Sequence, residues 1–352
     1  MTRFLDARNS SAGGRTDHFA LAKGRCRRCS ATAVSVGGRA VSAIKEAAGV
    51  IRSGGIVAFP TETVYGLGAD AFNPTAVARI YEAKERPSFD PLIVHVLEKS
   101  DTKLLVTKMP KVAAKLISAF WPGPLTVVVP KSDRVPDIVT AGLPTVALRS
   151  PSHPVARALL TAAGCPIAAP SANRFGRLSP TTAQAVKEQL DGRVDVILDG
   201  GATPVGVEST IVLCTGRKPA LLRAGGVPVE DIEKVVGKLA PAPKTALPQA
   251  PGGLPRHYAP RKPLVLVESI DDVPEQKRKG TGALLFKDRK TSGFSVVKAL
   301  SPDGDLIKAA ANLFSALARL ESADVSAIYA EKVPEHGLGL AIMDRLKRAS
   351  TT

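Results

Sequence analysis

Residues 241–263, PAPKTALPQAPGGLPRHYAPRKP, place seven prolines in 23 positions. Neither an α-helix nor a central β-strand tolerates that density, because each ring fixes φ and removes a backbone donor. The segment reads as a fairly stiff linker that divides the 352-residue chain in two. That length accommodates two domains, each with its own core.

Before the linker, short apolar runs alternate with helical periodicity. Val41, Ile44, Ala48 and Ile51 share one face of a helix over Ala40–Arg52, which Gly54-Gly55 ends. The run Ile56–Phe59 is a buried strand that stops at Pro60 and opens into a polar loop, Thr61 to Gly68, carrying hydroxyls, a carboxylate and two glycines. Asn73-Pro74 starts a second helix that Pro87 closes, and Pro91–Val96 is a strand. Residues 102–120 read as one helical period, broken by Trp121-Pro-Gly-Pro124. Leu125–Val129, Thr145–Arg149, Ile167–Ala169, Val194–Leu198 and Thr210–Leu213 read as strands, with a helix from Pro154 to Ala163. This is an α/β layer pattern. The connection from Leu125 to Arg149 holds no helix-length pattern, so the sheet is expected to be mixed. Beyond the linker, strands at Leu264–Val267, Ala283–Phe286, Ser295–Val297 and Ala327–Tyr329 surround a helix marked by Leu306, Leu313, Leu317 and Leu320, a second and smaller α/β domain.

The formal charge of +16 points to an anionic partner; nucleotide, pyrophosphate and RNA all satisfy it. Residues 1–40 contribute +6 of that, eight Lys/Arg against Asp6 and Asp17, in a Ser-, Ala-, Gly- and Arg-rich stretch without sustained periodicity. Residues 1–39 are therefore expected to be a disordered or organelle-targeting extension, or the product of an upstream start. They lack the apolar core of a secretory signal, and no apolar run in the chain reaches the roughly 18 residues of a membrane helix. Cys26 and Cys29 have C-x-x-C spacing, but Cys165 and Cys214 supply no second pair, so free thiols in a reducing cytoplasm are expected rather than zinc.

Several residues carry chemistry and an ordinary structural explanation together. Thr61, Thr63 and Tyr65 offer hydroxyls, and also suit a turn and a core. Lys84 and Arg86 supply a point charge and a planar fork for phosphate oxygens, and also suit a helix C-terminus. His95 within an apolar strand, His153 ahead of a helix, Ser171-Ala-Asn173 and Glu208-Ser209-Thr210 at strand edges are equally two-sided. There is no Walker loop, no GxGxxG, no Ser/His/Asp pattern and no metal-ligand cluster in the sequence.

Their order is specific where each alone is not. PTETVYGLGADAFN, KERPSFDPLIVH, WPGPLTVVV, TVALRSPSHP, APSANRFGRLSPT, GVESTIV and LLRAGG resemble the YrdC/Sua family, the threonylcarbamoyl-AMP synthases, over about residues 40–230. The segments PGGLPRHYAP and PEHGLGLAIMDRLKRA resemble its two-domain long form. The resemblance implies a twisted, open, mixed α/β sheet with a basic concave face over residues 40–240, and a Sua-type domain over 264–352. It implies a cytoplasmic enzyme condensing L-threonine, bicarbonate and ATP, with Mg2+ carried by the nucleotide, into threonylcarbamoyl-adenylate and pyrophosphate. The product would go to the tRNA threonylcarbamoyl-transfer machinery, with tRNA contact possible for the enzyme itself.

Carried over by motif, the resemblance puts Thr63, His95, Arg149, Ser171 and Ser209 around threonine. It puts Lys84, Arg86, Asp90, Thr145, Asn173, Thr181, Arg223 and either Tyr258 or His257 around ATP. No catalytic triad and no resident metal are implied. Asp90 departs from the pattern, since many relatives have Asn before Pro-Leu, and an unpaired acid there would repel phosphate. The linker, with Arg256, His257 and Tyr258, is expected to lie across the pocket as a lid. Two other functions fit less of the chain: a carbamoyltransferase of the same superfamily, whose zinc-finger and acylphosphatase companions are missing here, and an RNA-binding module, for which 4% aromatic content leaves few stacking platforms.

Overall fold

A computed structural model of the chain describes residues 1–8, 38–243, 250–251 and 257–350. Cys26, Cys29 and Arg256 lie outside the described residues. The elements run β1 (Arg3–Asp6), α1 (Gly38–Arg52), β2 (Val57–Pro60), β3 (Tyr65–Asp70), α2 (Pro74–Lys84), β4 (Ile93–His95), α3 (Lys111–Phe120), β5 (Leu125–Pro130), α4 (Asp137–Thr140), β6 (Thr145–Arg149), α5 (Pro154–Ala163) and β7 (Ile167–Ala168). They continue as α6 (Ala183–Leu190), β8 (Val196–Asp199), β9 (Thr210–Leu213), β10 (Ala220–Arg223), α7 (Val229–Val236) and β11 (Ala240–Pro241). After the proline-rich segment come β12 (Leu264–Val267), β13 (Gly282–Lys287), β14 (Val296–Ser301), α8 (Leu306–Ser322), β15 (Ile328–Glu331) and α9 (Gly339–Ala349).

The first eleven strands form one sheet in the order β1-β8-β2-β3-β7-β4-β6-β5-β9-β10-β11. It is mixed: β5 runs antiparallel to β6 and parallel to β9, and β4 runs parallel to β6 and antiparallel to β7. Strand alternation divides the side chains between two faces. Ala58, Val94, Val127 and Leu148 join the core under α2, α3 and α6, while Val57 and Phe59 face α1 and α5. In the middle of the sheet the second face holds only a small apolar floor, Ile93, Val128, Ala147 and Ile211, on which Ala250 of the linker sits. His95 and Arg149 lie two residues beyond Ile93 and Ala147, and so share that thinly covered face.

Three expectations are corrected. Residues 1–39 do not all lie outside the fold, because β1 pairs parallel with β8 from Arg3↔Val196 to Asp6↔Asp199, and Arg8 returns a two-pronged contact to Asp6 at 2.8 and 2.9 Å. Its sequence, RFLD, is charged at both ends and mostly exposed, so it carries no apolar run to read. Residues 102–120 are not one helix: a 3-10 turn over Lys99–Leu104 ends before Pro110, which sits at the N-cap of α3. The segment Thr61–Gly68 is not all loop, for Tyr65 begins β3, whose register against β2 runs Pro60↔Tyr65 to Val57↔Gly68. Gly68 is needed there for packing, since a Cβ would lie 2.7 Å from the Phe59 ring and 2.5 Å from Ile167.

The last four strands form an all-parallel sheet, β12-β15-β13-β14. Its core of α8 and α9 side chains also takes in Val64, Leu178, Val207 and Tyr258, so apolar packing is continuous from one sheet to the other. The backbones approach closely at Gly206, where φ is +77° and an added Cβ would lie 2.3 Å from the Ala310 carbonyl oxygen of α8. No described helix is long and apolar enough to cross a membrane. The substitution Gly206→Ala combines backbone strain with a clash against main chain that has no side chain to move aside. It is expected to lower unfolding stability by about 2–4 kcal/mol in urea titrations, and an unchanged midpoint would contradict the interface described.

Candidate active site

The ends of β2, β4, β6 and β9 meet the segments Pro170-Ser171 and Pro251/His257-Tyr258 around one cavity that is partly open to solvent. Of the sequence-predicted residues, Thr63, His95, Arg149, Ser171, Ser209, Arg86, Arg223 and Tyr258 line it, and so does His257. Lys84, Asp90, Thr145, Asn173 and Thr181 do not. Thr145 begins β6, the strand that Arg149 ends, about 13 Å away along the chain.

Thr61 builds the turn after β2. Its hydroxyl donates to the Val64 carbonyl at 2.7 Å and accepts from the Thr63 amide at 3.2 Å, leaving the Thr63 hydroxyl 2.8 Å away and facing inward. Arg149 Nη1 donates to that Thr63 hydroxyl at 2.9 Å, and Nη2 lies 2.7 Å from Glu62 Oε1. Glu62 Oε2 accepts from the Ser152 amide at 3.1 Å. All three side chains are buried. A lone charge would be expensive there, so the pair and its bonds to Thr63 and Ser152 fix Arg149 in place. His95 is the cross-strand neighbour of Arg149. Burial and then the Arg149 charge push the His95 imidazole down to about 3, so it is neutral at physiological pH.

Lys84 ends α2 and is buried, its amine donating to the carbonyls of Ser171, at 2.6 Å, and Asn173. Burial and then Arg86 hold its pKa well below the usual lysine range. Arg86 is paired with Asp90 at 2.9 Å and also donates to the carbonyls of Asp90 and Pro91. Asp90 therefore meets the condition under which an acid is tolerated: it is fully buried and paired, with burial pushing its carboxyl up against the pull of Arg86, Lys84 and Arg223. Arg223 ends β10 and grips Ser209, donating to its carbonyl at 2.9 and 3.2 Å, and reaches the Pro251 carbonyl of the linker at 3.1 Å. The Ser209 hydroxyl pairs with Thr126 at 2.7 Å.

His257 and Tyr258 both line the cavity. Their rings are 4.1 Å apart, with Phe175 beyond His257 and Phe314 of α8 beyond Tyr258, each at 5.8 Å. Burial, then Arg86 and Lys84, lower the His257 pKa well below its ordinary value. Sequence reasoning missed Glu62 and Thr126. An acid between two threonines at a strand end is the only hint for Glu62, and Thr126 carries none. Among the described residues, no group of three or more His, Cys, Asp or Glu is placed to hold a metal ion.

Three buried guanidiniums thus converge on one cavity, Arg149 and Arg223 from strand ends and Arg86 from the segment after α2, with the buried Lys84 amine nearby. Low dielectric strengthens their attraction for an anion, and their protein partners fix them before any ligand arrives. Fold and site together define an α/β protein whose cavity is lined by side-chain cations and not by a glycine-rich loop. Residues 49–225 match the Sua5/YciO/YrdC family profile, described as telomere recombination, and residues 227–351 match the profile of the threonylcarbamoyl-AMP synthase C-terminal domain. The threonylcarbamoyl-AMP synthase of Pyrococcus abyssi is 45% identical over 320 residues, covering 87% of this chain and 94% of that protein. The threonylcarbamoyl-AMP synthase of Bacillus subtilis is 44% identical over 320 residues, covering 87% and 92%. The crystal structure of P. abyssi Sua5 complexed with L-threonine matches with a TM-score of 0.86 at 39% identity, covering 99% of this chain and 98% of that one. The chain belongs to the Sua5/YciO/YrdC family, in its two-domain form. It is an ATP-using enzyme of the nucleotidyltransferase type.

Burial depresses the pKa of His95, His153 and His257 in the folded chain. The unfolded chain therefore binds more protons below about pH 6.5, and stability is fully present above that value and falls as pH drops toward the folded pKa values. One such histidine contributes a slope of up to about 1.4 kcal/mol per pH unit. Urea midpoints between pH 7 and 4.5 should fall steeply in the wild type and less steeply in His95→Gln. An identical slope in both would contradict a neutral, buried His95.

Proposed function

We propose that this enzyme condenses L-threonine, bicarbonate and ATP into L-threonylcarbamoyl-adenylate, releasing pyrophosphate, and supplies the product to machinery that modifies tRNA in the cytoplasm. The observation that carries the reading is the cavity's composition. It combines the hydroxyls of Thr63, Ser171 and Ser209 with three guanidiniums, Arg149 beside Thr63 and Arg86 and Arg223 besides, groups that suit an amino acid and a phosphate chain together. The buried Arg149 Nε and His95 Nδ1 have no partner within the protein, and a substrate carboxylate and ammonium or hydroxyl would satisfy them.

In this mechanism the threonine nitrogen bonds to the bicarbonate carbon, and water and a proton leave. An oxygen of the resulting carbamate attacks the α-phosphorus of ATP, and the bond to pyrophosphate breaks. Carbamates are short-lived in water, so positioning and exclusion of solvent do more here than a strong base. Arg149, fixed by Glu62, holds the threonine carboxylate, with Thr63, His95, Ser171 and Ser209 around the rest of the amino acid. Arg86 and Arg223 meet the phosphates, Lys84 adds charge from behind, and Mg2+ enters as the nucleotide's counter-ion. Asp90 acts through Arg86, and Asn173 and Thr181 complete the nucleotide side. Thr145, at the far end of β6, is assigned there on family resemblance alone. Residues 264–350 anchor the linker, whose Pro251, His257 and Tyr258 cover the cavity.

Pyrophosphate release that requires both threonine and bicarbonate tests the reading; release independent of either, or turnover of carbamoyl phosphate, would overturn it. Thr63→Ala should raise the KM for threonine about 10- to 100-fold with a smaller effect on ATP, and Arg86→Ala should do the opposite. The reverse pattern would exchange the two halves of the site.

A further inference from the structure

Arg345 lies on α9, at the far end of the chain from the cavity strands, and is completely buried. Its neighbours Ala341, Ile342 and Leu346 pack into the apolar core, so an aliphatic side chain would suit the position by pattern. A buried ion pair is seldom more stabilising than well-packed apolar residues of the same volume, so stability alone gives little reason for a guanidinium there. What it does give is a rigid fork with several directions.

Its contacts reach several segments, while the buried Nη2 has no hydrogen-bond partner within the protein. Arg345 Nε donates to Glu208 Oε2 at 2.9 Å, and Nη1 donates to the Ala224 carbonyl at 2.7 Å and to Asp344 at 2.9 Å. Its Cζ stands 5.1 Å from the centre of the Tyr258 ring, within cation–π range. Glu208 takes the Ser179 hydroxyl on its other oxygen and immediately precedes Ser209, the residue that Arg223 grips. Ala224 immediately follows Arg223. Tyr258 has φ of 60°, a left-handed backbone that a bulky residue keeps only where its surroundings impose it. The His257, Phe314 and Arg345 contacts supply that constraint.

We propose that Arg345 is a positioning residue for the reaction: from the C-terminal unit, one buried fork holds the Glu208-Ser209 wall, the end of β10 and the Tyr258 side of the linker in the arrangement that receives the substrates. Arg345 does not line the cavity and acts through Glu208 and Tyr258. The inference rests on the function proposed above and assigns the C-terminal unit a task within it.

The experiment measures KM and kcat for threonine and ATP in wild type, Arg345→Met, Arg345→Lys and the double variant Arg345→Met/Glu208→Gln, below their melting temperatures. The double variant leaves no unpaired buried carboxylate and decides the matter if Arg345→Met fails to fold. In the folded variants without the guanidinium, the KM for threonine should rise at least about tenfold and kcat should fall. Arg345→Lys, which keeps the Glu208 charge pair but loses the fork, should lie between. Wild-type KM and kcat in a folded methionine variant, with only a lowered melting temperature, would overturn the inference. Wild-type enzyme that releases no threonine-dependent pyrophosphate would instead overturn the function on which it rests.

Discussion

The ion pair between Arg149 and Glu62 is the contact on which the cavity depends. A guanidinium at the end of a strand, beneath a turn and out of water, is tolerable only with a partner charge. Glu62 supplies the charge, and Thr63 takes one donor. The turn that presents Thr63 is in turn set by the Thr61 hydroxyl. Three consecutive residues after β2 thus do three separate things: they shape the backbone, neutralise the cation and face the cavity. The same device recurs opposite, where Arg86 is paired with Asp90 and Lys84 is held by backbone carbonyls. Preorganisation of this kind leaves little rearrangement to be done when a charged substrate arrives.

The second consequence concerns how the two sheets cooperate. The apolar packing that joins Val64 and Val207 to α8 is general, but the contact at Arg345 is directional, and it meets the cavity wall at Glu208 and the linker at Tyr258. Gly206, two residues before Glu208, lets the α8 backbone come close enough for that to happen. The proline-rich segment between the sheets is fixed at its return point, where Tyr258 is held on three sides.

Much of this architecture is legible in the sequence, for identifiable reasons. The Asn73-Pro74 start of α2, the strand at Leu264–Val267 and the mixed sheet follow from capping chemistry, apolar periodicity and connection length, and all are present. Two edge elements are not legible: β1 (RFLD) is charged at both ends and mostly exposed, so it carries no apolar run, and β11 has only two residues. The cavity residues are visible as a family pattern and not as chemistry, because Lys84 at a helix end and His95 in an apolar strand have sufficient structural explanations. What separates function from structure at these positions is tertiary: which carbonyl meets Lys84, and whether an acid 87 residues earlier in the chain reaches Arg149. Arg345 is the extreme case, since its partner Glu208 is 137 positions away and no local rule links them.

The central claim is that buried, prepaired cations divide one cavity into an amino-acid half and a phosphate half. A crystal structure with L-threonine and a non-hydrolysable ATP analogue bound together tests it most directly. The account predicts the threonine carboxylate within hydrogen-bond reach of Arg149 beside Thr63, and the phosphates against Arg86 and Arg223. Phosphates on Arg149, or either ligand bound away from this cavity, would contradict it.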